Sequence, residues 1–206
     1  MIRLRGKTAA LAGVLTLAGA GALSAGGTTS CAKAPDSHRF TEILEPDYPS
    51  YAQYVDSYIQ RRCGTLDCHG QEGRAFRVYG RQGFRLYTVD DGGLVSGGQA
   101  TSDDEIRANY EAAVALEPEE MSRVMASQGT NPNRLLLLRK PLLLERHKGG
   151  PAMAQEDSGY KCVVSWLRVR VIQPAADGSG AFETIPQEQR DQLSAKDDCT
   201  DALNNP

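Results

Sequence analysis

The chain has 206 residues, room for one domain but not comfortably for two, and its 40% hydrophobic and 24% charged side chains are ordinary for a globular fold. The net charge of −3 hides an asymmetry, because residues 1–30 hold three bases and no acid. Removing that segment takes 23 basic residues to 20 against 26 acids, a net −6. An acidic domain of this kind is a poor nucleic-acid binder, since phosphates are neutralised by clustered Lys and Arg.

Arg3, Arg5 and Lys7 precede an uncharged Ala- and Leu-rich stretch from Thr8 to Leu23. This is the pattern of a signal peptide over residues 1–30, removed after translocation. The apolar stretch is short of the ~20 residues a membrane span needs, and it is rich in Gly, so a permanent span is not expected. Two cleavage sites compete. Ala20-Gly21-Ala22 has the A-x-A form, whereas Thr28-Thr29-Ser30-Cys31 is similar to a bacterial lipobox, although Thr28 stands where Leu is preferred. The second is favoured, which makes Cys31 a lipidation site and residues 31–49 a polar, Pro-bearing tether to the membrane.

The domain proper is expected over residues 50–172. Tyr51, Tyr54, Val55, Tyr58 and Ile59 recur at helical spacing and lead directly into Cys63. Residues 70–100 are Gly-rich and irregular, with FRVYG and GFRLY as a weak hairpin signal. Ser102-Asp103-Asp104-Glu105 has capping-box form and opens a helix through Ile106, Tyr110, Ala113 and Val114. Pro118 starts another, with Met121, Val124 and Met125 inward. Asn131-Pro132 begins a short helical turn through Leu135–Leu138 that stops near Pro141. A closing helix over about 158–169 carries Tyr160, Val163, Val164, Trp166 and Leu167. Residues 173–206 are polar and read as a loosely ordered tail. The fold class is therefore mainly α: a small helical domain with Gly-rich loops.

Five cysteines in an exported chain leave one odd member. Cys31 for lipid, Cys63 and Cys68 for a local site, and Cys162 with Cys199 as a disulfide account for all five, as arithmetic only, in an oxidising compartment. The local site is Cys63-Gly64-Thr65-Leu66-Asp67-Cys68-His69. Two thiols followed by His suit covalent attachment of one haem c, with His69 as proximal iron ligand. The usual spacing is C-x-x-C-H, and here it is longer by two. Three other readings stay open: a small-loop disulfide, zinc, and a redox-active dithiol.

With Cys-Cys-His-Gly at 63–70, Asn133-Arg134-Leu135-Leu136-Leu137, Lys140-Pro141, His147-Lys148-Gly149-Gly150 and a Trp-bearing closing helix, residues 51–170 resemble exported bacterial c-type cytochrome lipoproteins. The resemblance implies a fold similar to class I cytochrome c around one haem, with the Leu135–Leu138 and Leu142–Leu144 runs as pocket wall. It implies electron transfer to a redox protein partner in the envelope, from a periplasm-facing position. His147 matches the His-x-Gly-Gly element and is the expected sixth iron ligand, with Met153 as the alternative because class I proteins place their distal ligand just before the last helix. The competing class is a non-haem, disulfide-stapled envelope lipoprotein acting as a binding or structural module. No catalytic residue is expected: there is no G-x-S-x-G, H-E-x-x-H or phosphate loop, and His38, His69 and His147 are the only histidines.

Overall fold

A computed structural model describes residues 43–86, 98–190 and 193–205. The expected signal peptide, Cys31 and residues 31–42 of the tether lie outside the described residues. Asp47 opens the first helical run by accepting a hydrogen bond from the Ser50 amide, with Pro49 in the first turn. The run passes through α1 (Tyr48–Ser50), a π-helical turn (Tyr51–Val55) and α2 (Asp56–Cys63) without a break. Tyr51, Val55, Tyr58 and Ile59 share its buried face, as their spacing of four, three and one requires.

The next two helices start where their caps predict. Ser102 accepts from the Glu105 amide and the Glu105 carboxylate accepts from the Ser102 amide, a complete capping box for α3 (Asp103–Ala115). Pro118 sits in the first turn of α4 (Pro118–Ala126), which turns Met121, Val124 and Met125 inward. A 3-10 turn (Pro132–Arg134) leads to the short α5 (Leu136–Arg139). In α6 (Ser158–Leu167), Cys162, Val163, Trp166 and Leu167 are fully buried. A Cβ on Gly159 would lie 2.0 Å from Tyr58 Oη, so only glycine lets α6 cross the first run this closely. Tyr51 and Trp166 meet across that crossing, ring centroids 5.1 Å apart.

The domain is mostly helical, with a small two-stranded sheet. Two expectations are corrected. Among the described residues FRVYG and GFRLY form no hairpin; Tyr79 and Phe84 share one isolated bridge. Each fragment is short, and the Tyr79 amide and carbonyl are taken by the Asn109 side chain instead of a partner strand. Nor are the described residues between 173 and 205 a loose tail, since they hold two paired strands and a helix. Strands β1 (Ile172–Pro174) and β2 (Phe182–Thr184) pair antiparallel, with Gln173 opposite Glu183, and α7 (Leu193–Asn204) packs along α6. Ala195, Cys199 and Ala202 recur at i, i+4 and i+7 and are all buried. Small side chains let two helices approach closely, and Cys199 bonds covalently to Cys162 across that contact. Among the described residues no helix is long and apolar enough to cross a membrane.

A buried polar junction ties α2 to α3 and to the loop after Cys68. Asn109 donates to Asp56 at 2.9 Å and to the Tyr79 carbonyl at 2.8 Å, while its own oxygen accepts from the Tyr79 amide at 2.6 Å. Gln60 donates to the other oxygen of Asp56. Burial pushes the Asp56 carboxyl up to about 6, against the hydrogen bonds from Asn109 and Gln60, which lower it.

Two outcomes follow for stability. The folded chain holds the Asp56 proton to about pH 6, whereas an unfolded Asp releases it at 3.8, so stability falls as pH rises through that window. Denaturant unfolding at several pH values should show this fall, on the order of 3 kcal/mol at most, and Asp56→Asn should flatten it. Cys162→Ser or reduction should lower stability by about 4 kcal/mol, the chain-entropy value for a loop of this size, in the same measurement.

Candidate ligand pocket

Cys63 ends α2, where the Gly64 amide closes the helix on Ile59 and Gln60 carbonyls. The chain then coils tightly: the Cys68 amide donates to the Thr65 carbonyl, the His69 amide to Cys63, and the Gly70 amide to Thr65, each at 2.9 Å. Gly64, Gly70 and Gly83 stack backbone on backbone. A Cβ on Gly70 would meet the Gly64 oxygen at 1.9 Å and the Gly83 Cα at 2.8 Å. This packing presents Cys63, Cys68 and His69 to one side.

His69 is fixed by its Nδ1, which donates to the Phe76 carbonyl at 2.8 Å, and by the Phe76 ring 5.1 Å away. On the opposite side His147 Nδ1 donates to the Gly150 carbonyl at 2.7 Å, in a turn that Gly150 closes with φ +76°. A carbonyl only accepts, so both imidazoles carry their proton on Nδ1 and leave Nε2 as an open acceptor when neutral. The two rings lie parallel within 6°, centroids 6.0 Å apart. Burial depresses the His69 pKa, and the neighbouring His147 and Arg74 charges lower it further, against the Phe76 hydrogen bond.

These residues share a cavity of about 590 Å³. Ile59, Phe76, Leu116, Leu136, Leu137 and Met153 supply apolar wall, and Cys63, Cys68, His69 and His147 all line it. Arg62 Nε donates to the Ala152 carbonyl at 2.8 Å and thereby straps the His147–Met153 loop to α2. The structure thus brings together five of the residues expected at the site: Cys63, Cys68, His69, His147 and Met153. Cys162 and Cys199 stand apart in their disulfide, and Cys31 lies outside the described residues. Of the leucine runs, Leu136 and Leu137 reach the cavity, whereas Leu143 and Leu144 are 49% and 57% exposed. Three wall residues were missed as such in the sequence: Ile59, one helical turn before Cys63 and legible from that spacing, Phe76 and Leu116. Arg74 was also missed; it lies in the irregular loop, where no pattern points to it.

The expectation of an electron-transfer haem protein is corrected here. Among the described residues no group of three or more His, Cys, Asp and Glu side chains is placed to hold a metal ion. His69 and His147 face each other, ring centroids 6.0 Å apart, but no third such side chain joins them in a metal-holding group among the described residues. Cys63 and Cys68 are free thiols, and the disulfide that the competing class requires is present between Cys162 and Cys199.

Burial pushes the Cys63 thiol up to about 12, with the nearby Cys68 adding to the rise and Arg62 opposing it. The thiolate is the nucleophile, so Cys63 is chemically quiet at neutral pH. Iodoacetamide at pH ~8 should label Cys63 at least about tenfold more slowly than a free cysteine in the unfolded chain, as read by peptide mass spectrometry. Equal rates in the folded and unfolded protein would refute the burial argument.

No protein-family model, no curated protein and no solved structure matches this chain.

Proposed function

We propose that this is an exported, disulfide-stapled binding module, held at the cell envelope through a lipid on Cys31, whose pocket takes a small and largely apolar molecule. One observation carries the reading. A cavity of about 590 Å³ with apolar walls is built between α2, α5 and two loops, and small-molecule sites fall in the range of roughly 300–1,000 Å³ with mostly apolar lining. A high-pKa thiol and imidazoles locked by backbone carbonyls favour holding a ligand over turning one over. The open Nε2 acceptors of His69 and His147 would orient a donor group on the occupant.

The small helical frame, in which the first helical run packs on a Trp-bearing closing helix, supports kinship with the class I cytochrome c scaffold that the sequence resembles. On this reading the scaffold supplies the pocket and the disulfide to α7 supplies rigidity. The leader and the tether beyond Cys31 support placement at the envelope membrane.

Two measurements test the proposal. Purified mature protein should bind the neutral fluorophore pyrenebutanol saturably. Ala152→Trp, at a half-buried position on the cavity wall, should weaken that binding by at least about tenfold, the cost of losing one large apolar contact, with the unfolding midpoint unchanged. Absence of saturable binding would overturn the reading. So would isolation of the protein from its natural host with a porphyrin covalently attached at Cys63 and Cys68. For the anchor, labelled fatty acid should enter the wild type and not Cys31→Ser; an unlabelled wild type beginning near Leu23 would refute it.

A further inference from the structure

Five basic side chains line the cavity, Arg62, Arg74, Lys140, Arg146 and Lys148, against one acid, Asp67. Two of the five are engaged. Arg62 donates to the Ala152 carbonyl, and Lys140 pairs with Glu145 at 2.8 Å. The side chains of Arg74, Arg146 and Lys148 make no hydrogen bond or ion pair among the described residues, and all three are exposed. Elsewhere several arginines pair with acids, Arg85 with Glu105, Arg139 with Glu117 and Glu145, and Arg190 with Asp47, while Arg81, Arg168 and Arg170 lack an ion pair among the described residues. What sets the cavity apart is its five bases against one acid. In a chain with more acids than bases, three unpaired cations at one apolar cavity are a local excess that folding alone does not require. Like charges gathered this way repel, and a bound anion relieves them.

We infer that the ligand is an apolar small molecule bearing a carboxylate, its body against Ile59, Leu137 and Met153 and its charge at the mouth among Arg74, Arg146 and Lys148. The inference rests on the reading of the cavity as a binding site and adds the chemical class of its occupant. The exposed position of the three cations fits this division: a carboxylate held there keeps part of its hydration, while the apolar body leaves water. The contribution of each charge is modest because the mouth is solvated, and the sum of three is about tenfold in affinity.

The test compares two probes with the same apolar body, pyrenebutyrate and pyrenebutanol, on the purified mature protein. Pyrenebutyrate should bind about tenfold more tightly, and added salt should erode the difference. In the triple variant Arg74→Gln, Arg146→Gln, Lys148→Gln the advantage of the carboxylate should disappear while pyrenebutanol binds as before; that unchanged value also certifies the fold. Equal affinity of the two probes for the wild type would overturn the inference while leaving the apolar pocket intact. An advantage that survives in the triple variant would overturn it too. If neither probe binds, the pocket reading itself has failed.

Discussion

Asp47 is fully buried, and almost every part of the domain answers to it. Its carboxylate accepts from the Ser50 amide at 2.9 Å and from the Ser50 hydroxyl at 2.5 Å, and it pairs with Arg190 at 2.5 Å. Its carbonyl accepts from Trp166 Nε1 at 2.9 Å and from the Tyr51 amide at 3.1 Å. Burial by itself would raise this carboxyl, but hydrogen bonds from Ser50 and Arg190 outweigh it and hold the pKa low. One residue therefore caps the first helix, locates the Trp of the closing helix and fixes the segment that leads into α7. A charge buried this deeply is tolerable only with all of these partners in place, so the three regions must assemble together.

The site inherits its geometry from that assembly. The first helical run is set by Asp47 at one end and by the crossing with α6 in the middle, so Cys63 at its other end has a fixed position. The tight coil to His69, with its stacked glycines, transmits that position to the imidazole. The Asp56–Asn109–Tyr79 junction then anchors the far side of the same loop to α3. On the opposite wall the His147 turn is strapped to α2 by Arg62 and braced by the Arg139–Glu145–Lys140 cluster. Two histidines separated by almost eighty positions in the chain thus meet across a cavity because separate polar ties hold each to the same helix.

Helix positions were legible because their signals are local. The capping box at Ser102, the proline at 118 and the buried periodicity from Tyr51 each act within one or two turns. The grouping of Cys63, Cys68 and His69 was legible from their spacing, whereas His147 and Met153 were joined to them only through the family resemblance. The helix at 193–204 was not, because its buried face is made of Ala195, Cys199 and Ala202, which carry little hydrophobic weight. The hairpin at 172–184 was hidden for a related reason: its second strand is exposed on both faces, so no alternation marks it. The resemblance to haem lipoproteins located the pocket and misjudged what the described side chains are equipped to hold there.

The bond between Cys162 and Cys199 gives this architecture a sense of time. Before it closes, α7 rests on α6 through small side chains, Ala195 and Ala202, with Leu203 against the core and a hydrogen bond from Ser165 to Asp198. Thiols stay reduced in the cytosol and pair in an oxidising compartment. A chain whose last helix is secured in part by oxidation reaches its final rigidity only where its thiols can pair. Until then that end of the polypeptide is freer to open, and the same bond, once made, prevents it from slackening.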